Sequence, residues 1–206
     1  MAQIYASKTN EIQKYETEHE NEVRHLAGEC MALLENDGVL PFSDKIKKIA
    51  LYGTGARHTV KGGTGSGDVN VRKTVSIARG LEEAGFEIVT EDWLDRYDRD
   101  LEEAQKTYLK KLKDMSDETG EPSVILGFKH PFQEPEQPIV EETDIKEADA
   151  AIYVLARNSG EGKDRTPGAG DYELSDTEKT AIANLANAYG NLIVVLNVGG
   201  VIDTKF

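Results

Sequence analysis

The residues of this chain with the clearest potential for chemistry lie in one short run, Asn-Ser-Gly-Glu-Gly-Lys-Asp-Arg, at positions 158–165. Its glutamate, Glu161, has a glycine on each side, so the carboxyl group stands on a turn with little steric cover. A carboxylic acid in such a position is a candidate proton donor. A solvated turn without a chemical role is the plainer alternative, because most charged loops do no chemistry. The neighbours of Glu161 that could matter to it are Gly160, Gly162, Asp164 and Arg165.

The element before this run indicates where Glu161 lies. The apolar stretch 150–155 directly precedes the run and predicts a buried strand. In α/β proteins, ligands bind outside the carboxyl ends of the strands, which is the edge from which such a loop departs. We therefore expect Glu161 at the ligand-binding edge of a sheet.

A glycine-rich loop, 53–68, is the second stretch with potential for chemistry. It lies between a predicted strand and a predicted helix, where main-chain amides can bind an anion or a polar ligand. The loop lacks the third glycine of the dinucleotide motif and the Gly-Lys-Ser/Thr of the P-loop. A nucleotide or phosphate site is therefore the weaker interpretation, and close approach of the main chain to a sugar fits the loop as well.

Other residue types that often form sites are sparse. The histidines show no metal-ligand spacing with one another or with Cys30, so the sequence predicts no metal site. Cys30 falls on the apolar side of a predicted helix, and we expect it in the core. The single tryptophan, Trp93, is also expected to pack in the core. The four histidines are His19, His25, His58 and His130.

Helical and strand-like patterns alternate along the chain, which predicts an α/β fold with a mostly parallel sheet. The predicted helices are 18–34, 71–84, 93–115 and one that begins at the capping box Ser175–Glu178, and the predicted strands are 48–53, 86–90, 150–155 and 192–196. Residues 1–17 are a polar leader. The proline-rich segment 116–142 is too long for a simple connection, which favours a lid or a partner surface.

Composition excludes several classes of partner. The chain has 206 residues with 38 acidic and 24 basic side chains, and its net charge of -14 would repel nucleic acid. No apolar run approaches the roughly 20 residues that cross a membrane, and residues 1–8 lack the charged and apolar regions of a signal peptide. With one cysteine, no internal disulfide can form. These features favour a cytoplasmic protein, or a mature or excised piece of a larger one.

Five segments, taken together and in chain order, resemble glycoside hydrolase family 3, the β-glucosidase-type exo-acting enzymes. Glu35 departs from the basic residue usual in the first segment, but the Ser-Gly-Glu-Gly-x-Asp-Arg pattern is that of the branch with an acid/base glutamate. The segments are 33–41, 48–53, 62–69, 159–165 and 194–200.

The resemblance implies that residues 18–206 form an α/β three-layer sandwich with helices on both faces. It further implies a separate (β/α)₈ barrel, absent from these 206 residues, that carries the aspartate nucleophile. The chain ends directly after a strand, so we expect the sandwich to be incomplete at its C-terminal end. Because the chain begins with Met1 and the polar leader, a reversed order with the sandwich before the barrel is plausible.

The same resemblance implies a retaining exo-β-glycosidase acting on β-glucosides or related oligosaccharides, without a cofactor. Glu161 would be the acid/base, with Gly160 and Gly162 as its hinges, and Arg165 would pair with Asp164 or another loop acid to support the loop. The alternatives are a non-catalytic carbohydrate-binding or interaction module and, less favoured, a nucleotide-binding or phosphate-binding domain. The implied substrate-binding residues are Lys61, Gly63, Thr64, Gly65, Ser66 and Asp68.

Overall fold

Four parallel strands form one sheet in the part of the chain that the computed structural model describes, which is residues 9–63, 67, 69, 71–160 and 166–206. The chain divides into two units, Met1–Pro41 and Phe42–Phe206, and the sheet belongs to the second. The strands are β1 (Lys48–Tyr52), β2 (Glu87–Ile88), β3 (Ala150–Arg157) and β4 (Leu192–Val198). Their order across the sheet is β2-β1-β3-β4.

The helices of the second unit connect these strands. They are α2 (Ile77–Glu83), α3 (Glu91–Thr119), α4 (Ser123–Lys129) and α5 (Asp176–Ala188), with a 3₁₀ turn at Glu142–Asp144. Right-handed crossovers place α2 on one face of the sheet and α3 and α5 on the other, because the chain moves in opposite directions from β1 and from β3. The expected α/β sandwich with a parallel sheet and helices on both faces is thus confirmed.

The two central strands carry the core. Every residue from Ile49 to Tyr52 and from Ala150 to Leu155 is buried, as expected for parallel strands covered on both faces. Trp93 of α3 is completely buried and packs edge-to-face on Tyr52 at 5.5 Å, which confirms its predicted place in the core. The edge strand β4 is only half buried along its whole length.

A difference in strand length creates a step at one edge of the sheet. β1 pairs with β3 only as far as Tyr52 beside Tyr153, whereas β3 continues to Arg157 and stays paired with β4. The place next to the last residues of β3 is therefore left to the loop that follows β1.

The first unit differs from the expectation for it. Instead of one helix over 18–34, it has α1 (Lys14–Leu26) followed by a 3₁₀ turn, Ala27–Cys30. None of its described residues is buried, and Cys30 is exposed, so the prediction of a core thiol is wrong. Apolar spacing alone cannot bury a helix face within a unit that offers it no second packed element.

The predicted capping box of α5 is confirmed, since Ser175 and Glu178 bond reciprocally at its start. α3 is longer than the pattern predicts and ends at Gly120, whose φ of 70° stops the helix. The sequence did not predict α4, a seven-residue helix inside the proline-rich segment. It packs on α3 through Gly127, where a side chain would come within 3.7 Å of Leu112.

Candidate active site

The loops after β1 and β3 leave the same edge of the sheet in different directions. After β1 the chain crosses to β2 on one side, and after β3 it crosses to β4 on the other. Parallel α/β sheets bind ligands at such a switch point, in the crevice outside the carboxyl ends of the strands. The two stretches with potential for chemistry, 53–68 and 158–165, both begin there.

Two glycines allow the first loop to turn onto the exposed end of β3. Gly53 has a φ of 92°, and a Cβ at this position would lie 2.2 Å from the carbonyl oxygen of Val154. A Cβ on Gly55 would lie 2.7 Å from the Val154 side chain. The loop therefore fills the step beside β3 only because both residues lack side chains.

Hydrogen bonds hold the next part of this loop against α2. The Thr59 hydroxyl donates to the carbonyl of Gly55 at 2.7 Å and accepts from the amide of Ile77 at 2.9 Å. The amide of Ala78 donates to the carbonyl of Ala56 at 2.9 Å. The first turn of α2 is thus satisfied by the loop itself, which ties the loop to the helix.

Arg57 anchors the same loop to α3 on the other side. Its guanidinium contacts Glu91, Asp95 and Asp98, which follow one another along one face of α3, and the distances to Asp95 and Asp98 are 2.7 and 2.6 Å. His58 Nε2 lies 2.6 Å from Asp98. Burial raises the pKa of the Asp98 carboxyl, but hydrogen bonds from Arg57 and His58 outweigh burial and hold this pKa below its usual range.

The end of β4 binds both loops. Asn197 accepts a hydrogen bond from the amide of Val60 at 2.6 Å and donates to its carbonyl at 3.0 Å. The Ser159 hydroxyl, in the second loop, donates to the carbonyl of Gly199 at 2.9 Å. The end of β4 and the residue after it, from Asn197 to Gly199, therefore fix a point in each loop.

The two loops also contact each other directly. A Cβ built on Gly63 would lie 2.6 Å from the carbonyl oxygen of Ser159 and 3.6 Å from Cα of Gly160. Gly63 and Gly160, both named from the sequence, are thus brought together by main-chain packing that leaves no room for a side chain at Gly63. Two open depressions of about 370 and 290 Å³ lie beside this contact and share Val60, Gly62 and Asn158 in their walls.

Lys61 lines the larger depression, and its ammonium group donates to the carbonyl of Val69 at 2.7 Å. Gly63 lines the smaller one. The structure therefore places three of the sequence-predicted site residues, Lys61, Gly63 and Gly160, at the predicted edge of the sheet. The others lie outside the described residues, namely Thr64, Gly65, Ser66, Asp68, Glu161, Gly162, Asp164 and Arg165.

Sequence reasoning missed the residues that hold the loops. Arg57 could have been found, because three acids at helical spacing open α3 and require a cation. Asn197 also left a signal, since it is the one polar residue in the strand Leu-Ile-Val-Val-Leu-Asn-Val. Among the described residues, no three or more His, Cys, Asp or Glu side chains are arranged so that they could hold a metal ion. No helix in the described part of the chain is long and apolar enough to cross a membrane.

Comparison with known proteins shows which family model and which relatives the chain matches. Residues 31–206 match the glycosyl hydrolase family 3 C-terminal domain. A beta-glucosidase from Ruminococcus albus is 34% identical over 184 residues, which are 86% of this chain and 17% of that protein.

Solved structures agree with this match. Beta-glucosidase 3B from Thermotoga neapolitana in complex with glycerol superposes with a TM-score of 0.67 at 34% identity, covering 92% of this chain and 25% of that one. The same protein in complex with alpha-D-glucose gives a TM-score of 0.67 at 33% identity, covering 91% and 25%. The chain thus spans 17% of the length of the Ruminococcus albus relative and 25% of the Thermotoga neapolitana chain.

Proposed function

Because the chain belongs to glycosyl hydrolase family 3, as its C-terminal domain, we propose that it is part of a retaining exo-β-glycosidase of the β-glucosidase type. Its substrates would be β-glucosides or related oligosaccharides with a terminal β-linked sugar. In this proposal the domain supplies an acid/base and part of the sugar pocket, and a (β/α)₈ barrel supplies the nucleophile.

The observation that carries the proposal is the contact between Gly63 and Ser159. It joins the loop proposed to bind the sugar to the loop that leads, two residues later, to Glu161. Both loops stand at the switch point of the sheet, where α/β proteins bind ligands. A sugar bound against the first loop would thus lie beside the second.

Glu161 would act as the general acid and then as the general base. In retaining enzymes the two carboxyl groups are about 5–5.5 Å apart, so that one attacks the anomeric carbon while the other protonates the leaving oxygen. Glu161 then deprotonates the water that releases the sugar. An ionised nucleophile close by favours the protonated form of Glu161, because two negative charges at that distance repel. For the same reason Arg165 would pair with Asp164 rather than with Glu161.

The first loop would form the outer part of the sugar pocket. Lys61 and Gly63 already lie at the depressions described above, and Thr64, Gly65, Ser66 and Asp68 continue the same loop. The Thermotoga neapolitana relative has been solved with glucose and with glycerol. By analogy with that protein, we propose that this chain binds a sugar at the carboxyl edge of its sheet. A cytoplasmic location belongs to the same proposal, since a single exposed thiol suits a reducing compartment.

Hydrolysis of nitrophenyl β-glycosides tests the proposal, with the 206-residue chain assayed alone and together with a family 3 barrel. With the barrel, Glu161→Gln should abolish turnover of poor leaving groups and spare activated ones, because only the former need a proton. Glu173→Gln is the matched control, an exposed glutamate beyond the same loop.

Three outcomes would change the proposal. Equal losses on poor and activated substrates would argue against an acid role for Glu161. Glucose binding without turnover would favour the non-catalytic sugar-binding module. Turnover by the 206-residue chain alone would mean that the nucleophile lies in this chain, with Asp68 and Asp164 as the first residues to replace.

A further inference from the structure

Arg157, the last residue of β3, forms an ion pair with Glu178 of α5 that is largely, but not completely, buried. The Arg157 Nη1 and Nη2 groups donate to the two carboxylate oxygens of Glu178 at 2.7 and 2.6 Å. Their side chains are 10% and 12% exposed. This two-point geometry fixes the direction of the guanidinium as well as its distance, because a planar fork meets a planar carboxylate.

The same guanidinium reaches the far side of the loop that contains Glu161. Arg157 Nε donates to the carbonyl of Asp171 at 3.0 Å. The carboxylate of Asp171 accepts from the amide and the hydroxyl of Thr166, at 2.6 and 2.9 Å. Arg157 lies just before the loop 158–165 and Thr166 lies just after it, and both are therefore held at Asp171.

Glu178 is itself held firmly. It accepts a hydrogen bond from the amide of Ser175 at 2.8 Å, and its own amide donates to the Ser175 hydroxyl at 3.2 Å. This capping box sits at the start of α5, which packs into the core through Leu185. The chain of contacts from the core to the loop thus runs from α5 through Glu178 to Arg157.

We propose that Arg157 and Glu178 are positioning residues, which hold the loop so that the carboxyl group of Glu161 meets the leaving oxygen of the substrate. This inference rests on the proposed function. Neither residue lines the two depressions at the candidate site. A buried ion pair adds little net stability, because desolvation of the two charges offsets their attraction. We therefore expect the ion pair to act on the position of the loop. Proton transfer is sensitive to such positioning, because misplacement by 1 Å can cost about 100-fold in rate.

Glu178→Gln isolates the pair from the helix cap. Glutamine serves at the third helical position of a capping box as glutamate does, so α5 keeps its start while the charge and one acceptor are lost. Ser175→Ala is the matched control, because it removes the cap and leaves the ion pair in place. Arg157→Lys is the conservative partner variant, since an ammonium keeps the charge without the fork.

The decisive measurement is kcat and KM of the barrel-containing enzyme on substrates with poor and with activated leaving groups. Glu178→Gln and Arg157→Lys should lower kcat on poor leaving groups about 10- to 100-fold, with a smaller loss on activated ones and little change in KM. Ser175→Ala should lower the melting temperature without altering the ratio between the two substrates. Equal losses on both substrates, or an unchanged kcat, would overturn the positioning role.

Hydrogen exchange on the 206-residue chain gives a second test that needs no barrel. Peptides that cover 158–171 should exchange about 10-fold faster in Glu178→Gln, as expected for the loss of roughly 1.4 kcal/mol of local protection, while β3 peptides stay protected. Unchanged exchange would contradict the proposal.

The variant Glu161→Gln, assayed for activity in parallel, distinguishes failure of the proposed function from failure of the positioning role alone. If that variant retains full activity, the proposed function is wrong. If it loses activity on poor leaving groups and the pair variants do not, only the positioning role is wrong.

Discussion

Asn197 and Val60 are joined by two hydrogen bonds, one to each main-chain polar group of Val60. The amide and the carbonyl of Val60 thus bond to one side chain, as they would bond to the main chain of a neighbouring strand in a sheet. Val60 lies in the wall of both depressions, so this contact sets the position of the first loop where the ligand is proposed to bind.

Replacing Asn197 with leucine removes both bonds while keeping a side chain of similar size. We expect the free energy of unfolding to fall by about 1–3 kcal/mol, because two hydrogen bonds worth about 0.5–1.5 kcal/mol each are lost, and the amide of the half-buried Val60 to exchange faster. Urea unfolding and hydrogen exchange measure the two effects. Asn191→Leu is the control at the other end of β4, where a single bond at 3.2 Å should cost less. Equal effects would contradict the special role of Asn197.

Alanine at Gly53 should be severely destabilising. The new Cβ would meet the Val154 carbonyl at 2.2 Å, and the φ of 92° already disfavours a side chain. Gly85 is a matched control, with a φ of 91° and open space around it. We expect Gly85→Ala to cost about 1–2 kcal/mol for the backbone conformation alone, and Gly53→Ala to cost clearly more. Similar melting temperatures for the two variants would show that the loop can move away from β3.

Alanine at Gly63 should affect sugar binding more than folding. Its Cβ would lie 2.6 Å from the Ser159 carbonyl, so the two loops must separate, whereas Gly67 in the same loop has open space. We expect glucose affinity to fall in Gly63→Ala and to change little in Gly67→Ala, as titration calorimetry can measure. Loss of affinity in both variants alike would assign the effect to loop flexibility instead of the contact.

Removing Arg57 should weaken the protein mainly at neutral pH. The carboxyl pKa of Asp98 is lowered in the folded state, so this group stabilises the protein above its unfolded pKa, and the stabilisation is lost as the pH falls through the folded pKa. In Arg57→Met, three carboxylates face one another without their cation. The urea midpoint should therefore drop more at pH 7 than near pH 3. Arg79→Met, which breaks a surface pair with Glu83, should shift the midpoint slightly.

Alternation of helix and strand patterns was enough to predict the sheet, because buried parallel strands such as β3 are apolar without interruption. Local chemistry also predicted the start of α5, since its capping box lies within four residues. Cys30 shows the limit of such patterns. Its apolar spacing is real, but burial depends on what packs against the helix, and that is not a local property.

The residues of the candidate site also fall into two groups, those that the sequence predicts and those that only the structure reveals. From the sequence, Gly63 is predicted to bind the sugar and Gly160 to act as a hinge, and the structure brings their main chains together. Arg157 and Glu178 are 21 residues apart in the sequence, and only the crossover from β3 to α5 makes them neighbours. Sequence spacing therefore identifies residues that bend the chain, whereas residues that hold two segments together need the topology.

Because β1 is shorter than β3, the length of β1 determines how deep the candidate site is. β1 has five residues and β3 has eight, and the larger depression reaches Ala156 in the stretch of β3 that β1 does not cover. Each residue added to β1 would advance it by about 3.3 Å along β3, displacing the loop that now lies beside Val154 and narrowing the depression at Ala156. The length of one strand thus sets how far this depression extends along β3, independently of which side chains line it.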